Sequence, residues 1–276
     1  MKASSATDKY KYYLNKRLQI FLNSFDRSQL QGRKTGPKVV LNALPKSGTH
    51  LLENVFFKLP YMRHSGRRTL FIEIQNPLEK KLRVLGKIRK GQFQLAHMQY
   101  HSKVLEVLKK NDLKMIQLVR DPRDVLISHL NYIQNIDKTQ KSHRYISNYN
   151  TTEDKIKAMI NGKPNVIEPF PKVLNKFEPW LDKKNILTVK FEDLIGDKGG
   201  GKTEKQILNV KSIAQFCEIK VADARIIEIS GKIYSKKSST FNKGKIGNWK
   251  NVLDSKTQDH VNQNLKKYIF SYGYDL

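Results

Sequence analysis

One run of residues, PKVVLNALPKSGTHLLENVFFKL from Pro37, limits what this chain can fold into more than any other. A short apolar segment enters a turn containing Pro45, Ser47 and Gly48. An amphipathic segment follows, with Leu51, Leu52, Val55, Phe56 and Leu59 at helical spacing. That is strand, loop, helix. DLKMIQLVRDPRDVLISHLNYI repeats the pattern: Met115 to Val119 read as a buried strand. Asp121 is a good helix cap, and Pro122 a good first helical residue because it has no N–H to lose. NILTVKFEDLI is a third apolar strand, leading through GDKGGGKT into a helix-like segment, and GQFQLAH is a fourth strand. Alternating strands and helices predict an α/β fold with a central, mainly parallel sheet flanked by helices. Ligands in such sheets sit at the carboxyl ends of the strands.

Composition narrows the class. The chain has 276 residues, a formal net charge of +27, 38% hydrophobic and 9% aromatic residues. It is therefore not a disordered basic tail. One Cys excludes a disulfide framework, and no His/Cys/carboxylate cluster has the spacing of a metal site. No apolar run is long enough to span a membrane, and the first residues lack the apolar core of a signal peptide, so a cytoplasmic protein is expected. The charge calls for an anionic partner: nucleic acid, an acidic membrane surface or a phosphorylated small molecule. Residues 1–36 read as a basic N-terminal extension. Its apolar residues, from Tyr12 to Leu22, suggest a helix docked on the rest or meeting a membrane surface. Residues 37–276 read as one domain.

Two loops compete for an anion. Gly196-Asp-Lys-Gly-Gly-Gly-Lys-Thr203 matches the nucleotide P-loop pattern and would suggest a kinase or NTPase. The acidic pair Glu192-Asp193 at its mouth opposes phosphate, and no apolar strand ending in Asp follows to hold magnesium. The second loop, Leu44 to His50, keeps the physics without that spacing. Free N–H groups at a helix start favour an anion, Lys46 supplies a mobile cation, and Ser47, Thr49 and His50 supply donors. An ordinary capped helix is the plain reading of the same residues.

Four segments in order resemble the sulfotransferases that use 3′-phosphoadenosine 5′-phosphosulfate (PAPS). PKSGTH is similar to the family's 5′-phosphosulfate loop and LVRDPRDVLISHLNY to its 3′-phosphate motif. VKFEDLIG and FNKGKIGNWKN are similar to its later strand-and-turn and its C-terminal loop. The resemblance covers about residue 37 to the C-terminus. It implies a P-loop-like sulfotransferase fold and transfer of a sulfuryl group from PAPS to a hydroxyl or amine acceptor, leaving adenosine 3′,5′-bisphosphate, with no metal. It implies that Lys46, Ser47, Gly48, Thr49 and His50 hold the phosphosulfate, Lys46 also stabilising the leaving phosphate. Arg120, Ser128, Lys243 and Gly244 would hold the 3′-phosphate. Phe241 would lie near the purine. Phe191, where the family often has a Tyr, would do the same or serve as a core strand residue.

His97 stands at the place of the family's catalytic base, with His101 a nearby competitor and Glu73 the alternative used by other branches. Several positions depart from the family: Asn242 and Asn248 replace Arg and Asp, Leu95 a Lys, and Leu51 a stacking Trp. The family's dimer motif is not recognisable. The acceptor lining is expected in segments 60–92 and 132–172, where Tyr61, Phe71, Tyr132, Tyr145, Tyr149 and Phe170 fit an apolar or phenolic hydroxyl acceptor. Two other classes stay open: the kinase or NTPase of residues 196–203, and a non-enzymatic nucleic-acid-binding protein. The resemblance itself implies no nucleic-acid partner.

Overall fold

The computed structural model describes residues 14, 15, 17, 18, 20, 21, 27–73, 77–135, 138–234 and 245–276. Six strands form one sheet: β1 Lys38–Ala43, β2 Arg63–His64, β3 Leu70–Ile72, β4 Gln92–Met98, β5 Leu113–Val119 and β6 Ile186–Lys190. The order is β2-β4-β1-β5-β6, with β3 also pairing with β4, and every pairing is parallel. β1 lies between β4 and β5, so Val39, Val40 and Leu41 are fully buried. A parallel sheet covered on both faces needs such continuous apolar runs.

The crossovers are helical. Here α1 is Arg27–Thr35, α2 Thr49–Lys58, α3 Leu78–Gly86, α4 Ser102–Lys110 and α5 Pro122–Asn135. Further along come α6 Lys141–Ser147, α7 Thr152–Asn161, α8 Phe170–Asn175 and the short α9 Phe191–Leu194. The chain ends with α10 Thr203–Phe216, α11 Asp223–Gly231, α12 Asn248–Val252 and α13 Ser255–Ser271. The predicted apolar face of α2 is buried against the sheet together with α10 and α11. Helices α5 to α8 pack with α13 in a second cluster, and α3 and α4 cover β4 in a third. α5 begins at Pro122, and Asp121 Oδ1 accepts the Arg123 N–H at 2.9 Å, as a cap should.

Three expectations need correction. Phe191 lies outside the strand: β6 stops at Lys190 and Phe191 opens the helical turn α9. Tyr61 packs its backbone on Gly32, Gly36 and Gly91 at the amino ends of the strands, away from any acceptor at the carboxyl ends. Phe170 is 2% exposed in the second core, so it lines nothing.

Candidate functional site

The carboxyl ends of β1, β4 and β5 meet the two predicted phosphate motifs. After β1, Lys46 takes a left-handed φ of 75° and Gly48 one of 92°, and α2 begins at Thr49. A Cβ on Gly48 would lie 2.4 Å from the Phe191 ring, so both conformation and space require glycine. The turn aims the first amides of α2 away from intrahelical acceptors. Ser47 is 1% exposed, and its Oγ bonds to nothing among the described residues.

Arg120, at the end of β5, ties three segments together. Its guanidinium donates to the Lys46 carbonyl at 3.5 Å and to the Lys245 carbonyl at 3.1 Å, and it pairs with Asp124 at 3.5 Å. It lies 4.4 Å from the Phe191 ring centre, and its buried Nε has no acceptor among the described residues. Asp124, on the first turn of α5, accepts the N–H groups of Gly247 and Trp249. Burial raises its pKa, opposed first by Arg120. Arg123 is committed elsewhere: it forks onto Asp121 and donates to the Asp275 carbonyl.

Lys46 Nζ sits 3.2 Å from the centre of the Tyr132 ring on α5. Ser128 lies on the same helix, half-buried. His50 Nδ1 is 3.1 Å from the buried carboxylate of Glu53, which also lies 3.7 Å from His64. Phe241, Lys243 and Gly244 lie outside the described residues.

His97 occupies the end of β4, and its Nδ1 donates to the Ala43 carbonyl at 2.7 Å. That bond fixes the tautomer and leaves the Nε2 lone pair as the ring's basic atom. Burial, with the charges of Lys46 and His50 adding, pushes its pKa down to about 4 against the pull of the Ala43 carbonyl. Phe71 on β3, 49% exposed, lies 5.0 Å from it, ring centre to ring centre. Glu73 is at the end of β3, exposed at the same edge. His101 caps α4 by accepting the Lys103 N–H, so its ring serves structure. No motif in the sequence singles out His129. It follows Ser128 on α5, and burial with the Lys46 charge lowers its pKa to about 4. Its place one helical turn before Tyr132 was the available signal.

The Gly196–Thr203 loop folds onto itself. The N–H groups of Gly199 and Gly201 donate to the Gly196 carbonyl, and that of Gly200 to Asp197. Amides consumed in turns cannot cradle a phosphate. Among the described residues no His, Cys, Asp or Glu group could hold a metal ion, and no helix is long and apolar enough to cross a membrane.

Residues 36–269 match the sulfotransferase domain family model. The chain belongs to the sulfotransferase domain family. It is similar to cytosolic sulfotransferase 5 of Arabidopsis thaliana, with 23% identity over 64% of this chain and 58% of that protein. It is also similar to sulfotransferase 6B1 of Mus musculus, 19% identical over 84% of this chain and 76% of the relative. Among solved structures, mouse sulfotransferase SULT7A1 complexed with PAP superimposes with a TM-score of 0.60 at 18% identity, covering 90% of this chain and 91% of that one. Retinol dehydratase in complex with androsterone and inactive cofactor PAP gives a TM-score of 0.54 at 15% identity, with 91% and 87% covered. The fold is that of the sulfotransferases.

Proposed function

We propose that this chain transfers a sulfuryl group from PAPS to the hydroxyl of an apolar acceptor. One observation carries the reading. Two buried donors without acceptors among the described residues, Ser47 Oγ and Arg120 Nε, lie in the two phosphate motifs, which the Arg120 bond to the Lys46 carbonyl holds together. A buried donor left unmade costs free energy that an anion would recover. Solved relatives of the same fold contain PAP, the product left when PAPS gives up its sulfuryl group.

When bound, PAPS supplies an activated sulfuryl group. Lys46, Ser47, Gly48, Thr49 and His50 hold its phosphosulfate end. Arg120 and Ser128, with Lys243 and Gly244, hold the 3′-phosphate. Phe191 supports Arg120 and Gly48, and Phe241 meets the purine. His97 Nε2 takes the acceptor proton as the hydroxyl oxygen bonds to sulfur and the bond to the 5′-phosphate breaks. Lys46 moves from the Tyr132 ring to the departing phosphate oxygen and stabilises its charge. Glu73 is the alternative base. Exposed Phe71 beside His97 favours an apolar acceptor, and a neighbour of this fold holds androsterone. Relatives named cytosolic support a cytoplasmic setting.

The test is transfer of labelled sulfate from PAPS across phenols, sterols, glycans and lipids. Transfer to at least one apolar hydroxyl is expected, and loss of it in His97→Ala but not Glu73→Ala. Absence of both transfer and adenosine 3′,5′-bisphosphate binding would overturn the reading.

A further inference from the structure

The PAPS site uses few of the cations in this chain, and a second cluster lies at the other end of the sheet. Arg63 pairs beside Gln92, the first residue of β4, whereas His97 stands five residues further along that strand. At about 3.3 Å per residue, the two ends are roughly 16 Å apart. The backbones at Gly32, Tyr61 and Gly91 pack against one another, and the Arg63 N–H donates to the Gly91 carbonyl at 2.8 Å, which brings Arg33, Arg63 and Arg89 to one edge. Burial, then the charges of Arg33 and Arg89, lower the pKa of Arg63 accordingly. Arg67, Lys87 and Arg89 line an open cavity of about 330 Å³ beside them, and Arg67 donates to the Lys87 carbonyl. None of these five side chains forms an ion pair among the described residues. Arg63 Nε is buried and bonds to nothing among them.

Like charges gathered with no ion-paired carboxylate among the described residues repel, so the folded chain bears a cost that a bound anion removes. Guanidinium forks match phosphate oxygens. Two further observations favour one source of phosphate. Leu14, Leu18 and Phe21 fall at helical spacing upstream of α1 and are 56%, 54% and 58% exposed. Leu30 is also exposed, one turn before Arg33 and Lys34 on α1. An exposed apolar residue one turn from cations, as Leu30 is from Arg33 and Lys34, suits a headgroup boundary, where two weak signals add to give stable association. Nucleic acid would instead want aromatic stacking surfaces between the cations, and the cavity has Gly86 and Ile88.

We propose that Arg33, Arg63, Arg67, Lys87 and Arg89 form a docking surface for the phosphate headgroups of an anionic membrane, remote from the PAPS site. It would hold the enzyme where apolar hydroxyl compounds partition and would account for part of the surplus charge.

The test is co-sedimentation with phosphatidylcholine vesicles, with and without phosphatidylserine, at physiological salt. The full chain should sediment with the anionic vesicles only. Arg63→Gln/Arg67→Gln/Arg89→Gln should weaken that partition about 100-fold, while thermal stabilisation by adenosine 3′,5′-bisphosphate stays unchanged. If the triple variant does not fold, the exposed pair Lys87→Gln/Arg89→Gln should weaken partition about 30-fold. A folded variant that partitions like wild type overturns the proposal, as does a wild type indifferent to phosphatidylserine. Retention of single-stranded RNA without vesicle binding would assign the patch to nucleic acid and overturn it equally.

Discussion

Asp124 Oδ1 accepts the backbone N–H of Trp249 at 3.0 Å, and its Oδ2 accepts that of Gly247 at 2.9 Å. One buried carboxylate on α5 thereby fixes the end of a loop more than a hundred residues later, and Arg120 shares that carboxylate. Both oxygens act as acceptors, so Asp124→Asn turns one of them into a donor facing an N–H. Stability should fall by about 1–3 kcal/mol. Adenosine 3′,5′-bisphosphate should bind roughly tenfold more weakly, because Arg120 and the loop lose their shared anchor. Denaturant melts and titration calorimetry measure the two effects.

Ser47→Ala separates binding from folding. The Ser47 hydroxyl is buried without an acceptor among the described residues, so its removal should leave the ligand-free protein as stable or slightly more so. Affinity for the bisphosphate or for PAPS should nevertheless fall by about fivefold or more. A variant that loses stability and keeps its affinity would place the hydroxyl in the fold and not in the site.

The pH dependence follows from the histidines. His97 and His129 have folded pKa values near 4, below the ordinary histidine value of 6.5. Between these values the unfolded chain binds more protons than the folded one, so stability rises with pH through that window. Their contribution is complete above about pH 6.5 and is lost as pH falls through about 4. The activity profile carries the same sign. If His97 is the base, as proposed, it is neutral across the neutral range, so kcat/KM should hold level from pH 7 to about 5 and fall with a midpoint near 4. A midpoint near 6.5 would point to a different base or to an exposed ring.

Much of the fold is local and therefore legible in sequence. The four apolar strands, the Gly48 turn and the Asp121–Pro122 helix start each depend on residues within one turn or strand of one another. The candidate site is marked in the sequence at Lys46 and Arg120, because phosphate chemistry restricts residue types at the positions proposed to meet it. Contacts between distant segments are not. The Asp124 bonds to residues 247 and 249, the Phe191 ring beneath Gly48 and the charge of Lys46 felt by His129 carry no periodic signal. Phe191 reads as a strand residue because an apolar residue after Val189 extends a strand pattern, whereas the chain turns at Lys190. Tyr61 and Phe170 look like lining by position alone, and only the crossovers show that one lies at the wrong end and the other in the core.

We propose that the loop after β1, and not the glycine-rich loop after α9, holds the anion. Thermal shift with adenosine 3′,5′-bisphosphate and with Mg-ATP tests it directly, in wild type, Lys46→Ala and Lys202→Ala. The bisphosphate should raise the Tm of wild type and Lys202→Ala and raise that of Lys46→Ala much less, and Mg-ATP should have little effect on any of them. Stabilisation by Mg-ATP that disappears in Lys202→Ala and survives in Lys46→Ala would contradict it.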